Sequence, residues 1–501
     1  MAVLANQVRH AFYMDSVALM RISRAISSLP GVNIAALMIG SATNKKLMRD
    51  AGLLDQNGEA AGPNDLVLAV SADTADAAEA AFKEATRLLE GRSTSAAKTG
   101  QWHPKTLDTA LQQFPGANLA LISVPGEFAA AEARHALNKN LHVMLFSDNV
   151  LISDEIALKQ EAQRRGLFMM GPDCGTAIIG GVPLGFANAI PHGNTGIVAA
   201  SGTGLQEISS LIARGGQGIS HAIGVGGRDL KEAVGGLMTL LAIDALDRDP
   251  GTARIILISK PPEPAVARRI LERAARSKKP FIACFVGADE MPVPANVALF
   301  SDLRSAAQQA LAGRPFATSE PIASPAALAR EIAPGRSVVK GFFSGGTLCA
   351  EAQVFFHRSG LAVASNVPIP HVDKASADSQ GHVLLDLGDD EYTVGRPHPM
   401  IDPSPRNDML RQAIADGRTA VALTDIVIGY GSHGDPAGEL IAKLPPPEDR
   451  KAVIVTSVCG TEADPQGYSR QARMLRDAGV VVAPSNADAA ELAIAILRET
   501  A

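Results

Sequence analysis

Aromatic residues make up only 4% of this 501-residue chain, too few to supply the stacking platforms that single-stranded nucleic acids need. Basic residues are not in excess either. The formal net charge of −6 leaves no cationic surface for a phosphodiester backbone. No run approaches the ~18 consecutive apolar residues of a membrane span. The opening MAVLANQVRHAFYMDSVALM lacks the charged n-region and cleavage pattern of a signal peptide. The cysteines Cys174, Cys284, Cys349 and Cys459 are scattered without a CxxC pair, which speaks against a disulfide framework or a metal site. Reduced thiols and a cytoplasmic location are the expectation. No GxxxxGK[ST] motif is present, so this phosphate-binding device is missing as well.

What remains is ordinary globular material, 46% hydrophobic and 20% charged. At ~150 residues per domain the length suits about three domains. Strand and helix signals alternate nearly throughout, the pattern of parallel α/β folds. Strands are expected at 32–39, 65–70, 118–124, 141–146 and 167–170, with a helix over 73–89 and a surface loop over 91–101. A second unit starts at Gly193, with strands at 196–200, 221–225, 253–259 and 281–286. Residues 313–335 shift to Ala, Pro and Ser, as a linker does. A third unit then repeats the grammar of the second, with a strand at 338–343, a glycine turn and a helix at 348–358. The expected organisation is α/β. It comprises a Rossmann-like domain over 1–190, a flavodoxin-like domain over 193–313, a linker over 314–335 and a second flavodoxin-like domain over 336–501.

The stretch from Gly193 to Leu230 says most about chemistry. An apolar strand runs into Ser201-Gly202-Thr203-Gly204, and a helix follows. Such a turn leaves backbone N–H groups free at the positive end of a helix dipole, a seat for an anion and for phosphate above all. The device recurs in the third unit as Ser344-Gly345-Gly346-Thr347. A third turn, with Gly429 and Gly431, follows the strongest strand of that unit. In open parallel sheets ligands bind beyond the carboxyl ends of the strands, where all three turns lie.

The loop from Asp386 to Asp402 is dense in ionisable groups, either a site or a solvated loop or subunit contact. In it Arg396 could clamp a carboxylate or phosphate, and Asp389 and Asp390 are further candidates. His398 suits a proton shuttle or a purely structural histidine. Arg228, after the glycine pair Gly226-Gly227, reads as a substrate contact, and Asp229 as local turn bonding. Lys260 ends a strand and is a further candidate at the same crevice. Cys174 reads as an inert small residue.

The motifs GPDCG at 171–175, TGIVAASGTGLQE at 195–207 and GVGGRD at 224–229 resemble the α subunit of succinyl-CoA synthetase. From Gly341 onward, FFSGGTLCAEA, LLDLGDDE and DIVIGYGSHGDPAGEL resemble the carboxy-terminal domain of its β subunit. The chain as a whole resembles the FdrA proteins, which fuse the two parts. Residues 148–155 and Tyr392 to Asp402 make that resemblance specific.

The departures are informative. The histidine that relays phosphate in succinyl-CoA synthetases has no counterpart in Phe281 to Phe300. The ATP-grasp domain and the glycine-rich CoA loop are also missing. The resemblance to FdrA implies a subunit of an oxamate carbamoyltransferase of ureide and allantoin breakdown, working with companion subunits and as a homo-oligomer. In that expectation the SGTG and SGGT amides hold carbamoyl phosphate. Arg228 or Arg396 orients the acceptor carboxylate, and His398 or Asp389 manages the amide proton. No cofactor is firmly implied. Coenzyme A enters only under the alternative of an acyl-CoA synthetase subunit that borrows an ATP-grasp partner. The third alternative is a non-catalytic scaffold that binds an acyl phosphate or CoA.

Overall fold

The computed structural model describes residues 2–12, 14, 16–97, 104–316, 322–376, 379–393 and 397–500; of these, the side chains at 16, 17, 21, 24, 42, 43 and 91–97 are not described. It forms two compact units, one built from residues 1–113 and 392–397, the other from 114–391 and 398–501. The architecture is multi-domain α/β with parallel sheets.

The first unit holds a three-stranded antiparallel sheet in the order Val3–Arg9, Leu66–Ala72, Val32–Ile39. Its central strand alternates strictly. Leu66, Leu68 and Val70 pack under the helices Ser16–Ser27 and Ala75–Ala97, while Val67 and Ala69 face Met48 and Leu53 on the other side. That is the period of two that a pleated strand covered on both faces must show.

The expected 1–190 domain is therefore divided. The antiparallel sheet belongs to its own unit, and the parallel portion comprises Leu119–Ile122, His142–Leu145 and Met169–Met170. The physical reason is that a buried strand is apolar whichever way its neighbours run. The helix expected to end at 89 continues to Ala97, and the rest of the loop expected over 91–101 lies outside the described residues.

The second unit also carries two seven-stranded sheets of matching order. The first runs Val297–Phe300, Phe281–Phe285, Arg254–Ser259, His192–Ala199, Ile219–Gly224, Thr176–Ile179, Val182–Gly185. The second runs Val481–Ala483, Val453–Cys459, Thr419–Val427, Val338–Phe343, His382–Asp386, Val363–Ser365, Asp373–Lys374, with the last three entered from the strand Val338–Phe343 outward. Both sheets feed one continuous core, from Ile197 and Ile256 to Leu423 and Val455. The segment expected as a linker is not free along its length. Pro325–Ala329 is a short helix whose Leu328, 3% exposed, belongs to that core.

Candidate functional site

The two glycine turns meet. Ser201 caps the helix Gly202–Arg214 by accepting from the Gly204 amide at 3.0 Å, the usual way a serine satisfies a first-turn donor. Its Oγ also lies 2.6 Å from Thr347 Oγ1, in the first turn of the helix Gly346–Arg358. The Thr347 amide in turn reaches Thr203 Oγ1 at 3.4 Å. Two helix N-termini are thus joined tip to tip by hydroxyls, with the first-turn amides of Gly202, Thr203 and Gly346 given no protein acceptor among the described residues. Each dipole end favours an anion by ~0.3–1 kcal/mol when exposed and up to ~2 when partly buried.

The second turn differs from expectation in one respect. The Ser344 and Gly345 amides already donate to the Asp425 carboxylate, at 2.8 Å each. Arg406 neutralises that carboxylate at 3.3 Å and also donates to Ser344 Oγ at 3.0 Å. Arg406 is 2% exposed and Asp425 fully buried. An internal carboxylate occupies the place expected for phosphate at these two residues, because strand Thr419–Val427 runs beside strand Val338–Phe343 and delivers Asp425 under the turn. In the first repeat Ile258 lies beneath the turn, against Gly204, and offers no charge.

Gly429 and Gly431 do not join the cradle. The Gly429 amide donates to Gln466 Oε1 at 3.0 Å and the Tyr430 amide to Ala187 O at 2.8 Å. Gly431 packs on Phe186. This third turn seats on the segment 185–189, since a hairpin strand ends there and leaves carbonyls to be paired.

Asp386 lies at the junction, and Lys260 acts on it as a cation. A Cβ on Gly346 would overlap Asp386 Oδ2, so the carboxylate lies against the first residue of the second helix. Burial pushes Asp386 up to about 6, and the exposed Lys260 ammonium pulls it back only in part. Beside it, His398 Nε2 abuts Gly388. His398 Nδ1 accepts from the Met400 amide at 3.2 Å, which places the ring proton on Nε2. Desolvation lowers His398 to about 4. The ring is therefore neutral at pH 7, a hydrogen-bond donor and a weak base, which corrects its expected use as a proton shuttle. Asp389 accepts from the Glu391 amide at 3.2 Å. Arg396 lies outside the described residues.

Arg228 is engaged in structure. Its Nε lies 2.8 Å from Glu155 and its Nη2 donates to Val150 O at 2.9 Å. Glu155 and Asp229 hold the fully buried Lys159 between them at 2.8 and 2.9 Å. Asp229 also caps the helix Leu237–Arg248 through the Thr239 amide, more than the turn bonding expected of it. Gly226, at φ +86°, lets the backbone approach Pro172 O. This brings the 171–174 loop, with Gly227, against the Arg228 turn. Asp173 in that loop is pushed up to about 6 by desolvation, then by Asp148 and Asp390, with Arg228 opposing. Asp390 is raised above its ordinary value, by desolvation first and then by Asp148 and Asp389, with Arg228 opposing. Cys174 is buried and its thiol raised to about 12, inert as expected.

Sequence reading named Asp386 only as the start of a charged loop and missed Asp425, Arg406, Lys159 and Glu155. A signal existed for Asp425 alone, an acid inside the apolar run Ala420 to Ile428.

Comparison with known proteins places these features in a family. Residues 342–496 match the CoA-ligase family, and residues 1–104 match a family described as AllF, heavy metal-associated domain. Residues 1–104 contain no cysteine, and among the described residues no group of three or more His, Cys, Asp or Glu is set to hold an ion. The uncharacterized protein YahF of Escherichia coli (strain K12) is 42% identical over 498 residues, covering 96% of each chain. The ADP-forming succinate–CoA ligase subunit alpha of Methanothermobacter thermautotrophicus is 28% identical over 182 residues, 35% of this chain and 59% of that protein. A solved dinucleotide forming acetyl-coenzyme A synthetase 1 from Ca. Korarchaeum cryptofilum, in complex with phosphate and ADP, aligns at a TM-score of 0.30 and 15% identity, over 76% of this chain and 82% of that one. The matched domain and the named enzyme are CoA ligases. They overturn the expected carbamoyl transfer to an oxamate-like acceptor. Among the described residues no helix is long and apolar enough to cross a membrane.

Proposed function

The chain belongs to the family of YahF, within the CoA-ligase and acyl-CoA synthetase superfamily, and from that membership we propose that it is the acyl-phosphate-handling subunit of an acyl-CoA ligase. The observation that carries this reading is the Ser201–Thr347 junction, where two helix N-termini meet tip to tip. The phosphoryl group of an acyl phosphate sits against the Gly202, Thr203 and Gly346 amides. These are fixed dipoles that cost no reorganisation when charge moves onto the leaving phosphate. The thiol of CoA attacks the acyl carbon. The S–C bond forms, the C–O bond to phosphate breaks, and the thiol proton passes to Asp386 and then to the departing phosphate. A carboxylate at about 6 is a better base near neutrality than an ordinary one. Neutral His398 offers its Nε2–H to the acyl oxygen. Lys260 holds the acyl or CoA charge at the mouth. The chain carries neither a GxxxxGK[ST] motif nor a histidine between Phe281 and Phe300, so a companion ATP-grasp subunit makes the acyl phosphate.

The test is direct. The purified chain, given CoA and acetyl or succinyl phosphate, should form thioester and release phosphate. Inorganic phosphate should raise its melting temperature, since a ligand at 100 times its Kd adds ~2.7 kcal/mol of stability. Thr203→Val with Thr347→Val removes the hydroxyls that hold the two turns together and should lower the thioester rate by up to roughly 100-fold, the lower end of what loss of one anion-stabilising donor costs. Absence of both thioester formation and phosphate protection in the unaltered chain would sink the reading.

A further inference from the structure

The two repeats of the second unit correspond position by position around their leading helices. Gly202–Arg214 and Gly346–Arg358 are both 13 residues long. Gly202, Thr203, Glu207 and Arg214 answer to Gly346, Thr347, Glu351 and Arg358. Each repeat then takes a parallel step at its sheet edge, and there they part. In the second repeat the strands Val453–Cys459 and Val481–Ala483 are joined through the helix Tyr468–Asp477. In the first, Phe281–Phe285 and Val297–Phe300 are joined by residues 286–296 with no helix and no aromatic residue.

The added helix of the second repeat covers an arginine. The Tyr468 ring lies on Arg214, with 4.3 Å from guanidinium carbon to ring centroid, and Phe316 adds a second ring at 5.8 Å. Among the described residues the guanidinium of Arg358, at the corresponding place, has a single ring over it, Phe355 of its own helix at 5.8 Å. Where the missing helix would lie, a groove of about 480 Å³ opens, walled by residues of both repeats. Its volume falls in the range of small-molecule sites, ~300–1,000 Å³.

The groove is furnished for a flat ring. Arg358 is held in position by Asp302 at 3.3 Å and by Ser301. His357 and His371 stack on each other, with centroids 5.4 Å apart and planes 16° apart. Val354 and Ile369 supply an aliphatic floor. The rim is acidic, with Asp289 3.6 Å from His371 and 84% exposed, and Glu290 next to it. Carboxylates accept hydrogen bonds and repel anions, so a bare phosphate or a simple carboxylate is disfavoured. A planar ring that carries amino N–H groups satisfies both the stacking surface and the rim.

We infer that this groove binds a planar, amino-bearing heteroaromatic ring of the adenine class, stacked on Arg358 as Tyr468 is stacked on Arg214. Adenine reaches a protein as a free nucleoside or nucleotide or as part of CoA. The inference stands on the groove alone, independent of acyl transfer at the glycine turns. Adenosine, ADP and CoA are titrated separately into the full chain, with saturable shifts of the His357 and His371 ring resonances as readout and equilibrium dialysis as the measure of affinity. At least one probe should bind, and comparison of the three identifies the source of the ring. Arg358→Ala and Arg358→Lys should each weaken it tenfold or more, since lysine restores charge without the planar face. His371→Ala, at an exposed side chain, should weaken it as well and guards against a folding defect at Arg358. No saturable binding of any probe at millimolar concentration overturns the inference, as does binding unchanged by both Arg358→Ala and His371→Ala.

Discussion

At the scale of single residues, the junction contrasts two buried acids. Asp425 is matched by Arg406 and by two amides, and breaking such a pair from one side leaves an uncompensated charge. Among the described residues the Asp386 carboxylate accepts only from the Gly388 amide, at 3.0 Å, and Lys260 offsets its burial only in part, so the fold favours its protonated form. The sign follows. A carboxyl whose pKa rises from 3.8 to about 6 on folding contributes its full stabilisation below the unfolded value and loses it as pH climbs through 6. Asp386→Asn should therefore raise the melting temperature at pH 7–8 and change it little near pH 4. The gain is at most about 3 kcal/mol, at 1.36 kcal/mol per pK unit. The same substitution should tighten inorganic phosphate binding above pH 6 while slowing thioester formation. Slower turnover with weaker phosphate binding would contradict the placement of this carboxylate beside the anion seat.

At the scale of elements, each leading helix caps a helix of the other repeat. Glu351 accepts from the Leu303 and Arg304 amides at 2.7 and 3.2 Å, at the start of the helix Leu303–Ala310. Glu207 accepts from the Asn486 amide at 3.1 Å, at the start of the helix Asn486–Glu499. Asn486 closes the pair by donating to Glu351 at 2.8 Å. Burial first, and Glu207 second, push Glu351 up to about 8, so it is largely neutral at pH 7. Glu351→Gln keeps one acceptor oxygen for the Leu303 and Arg304 amides but turns a donor toward Asn486 Nδ2, and should cost about 1 kcal/mol in a denaturant melt at pH 7. Glu351→Leu strands buried donors and should cost about 2–3 kcal/mol. These caps were invisible in the sequence, because Glu351 and Leu303 meet only through tertiary packing. The helices and most strands were legible from periodicity, and so was the repeated glycine turn. The antiparallel pairing of Leu66–Ala72 was not, since its fully buried pattern fits either direction.

For the whole molecule, the two expected flavodoxin-like domains correspond to two seven-stranded sheets within one compact unit, the first sheet also taking Thr176–Ile179 and Val182–Gly185, while residues 1–113 fall in a different unit. Composition located the segment 313–335 between the repeats. It did not show that Leu328 inside this segment is core, because one leucine among alanines and prolines carries no periodic signal. The meeting of the turns was foreseeable from their duplication. The occupation of one of them by Asp425 was not, since the acid arrives from a strand some eighty residues away in sequence.

The reciprocal capping has a consequence for how the polypeptide can be divided. Each repeat completes the other's helix ends and shares its core, so connectivity through 313–335 is needed for stoichiometry more than for assembly. A backbone nick at Gly313, outside the Pro325–Ala329 helix, should leave two fragments that copurify at one to one and melt in a single transition. Either fragment produced alone should be insoluble or molten. Independent folding of the two pieces would show that the caps tie together domains already complete in themselves.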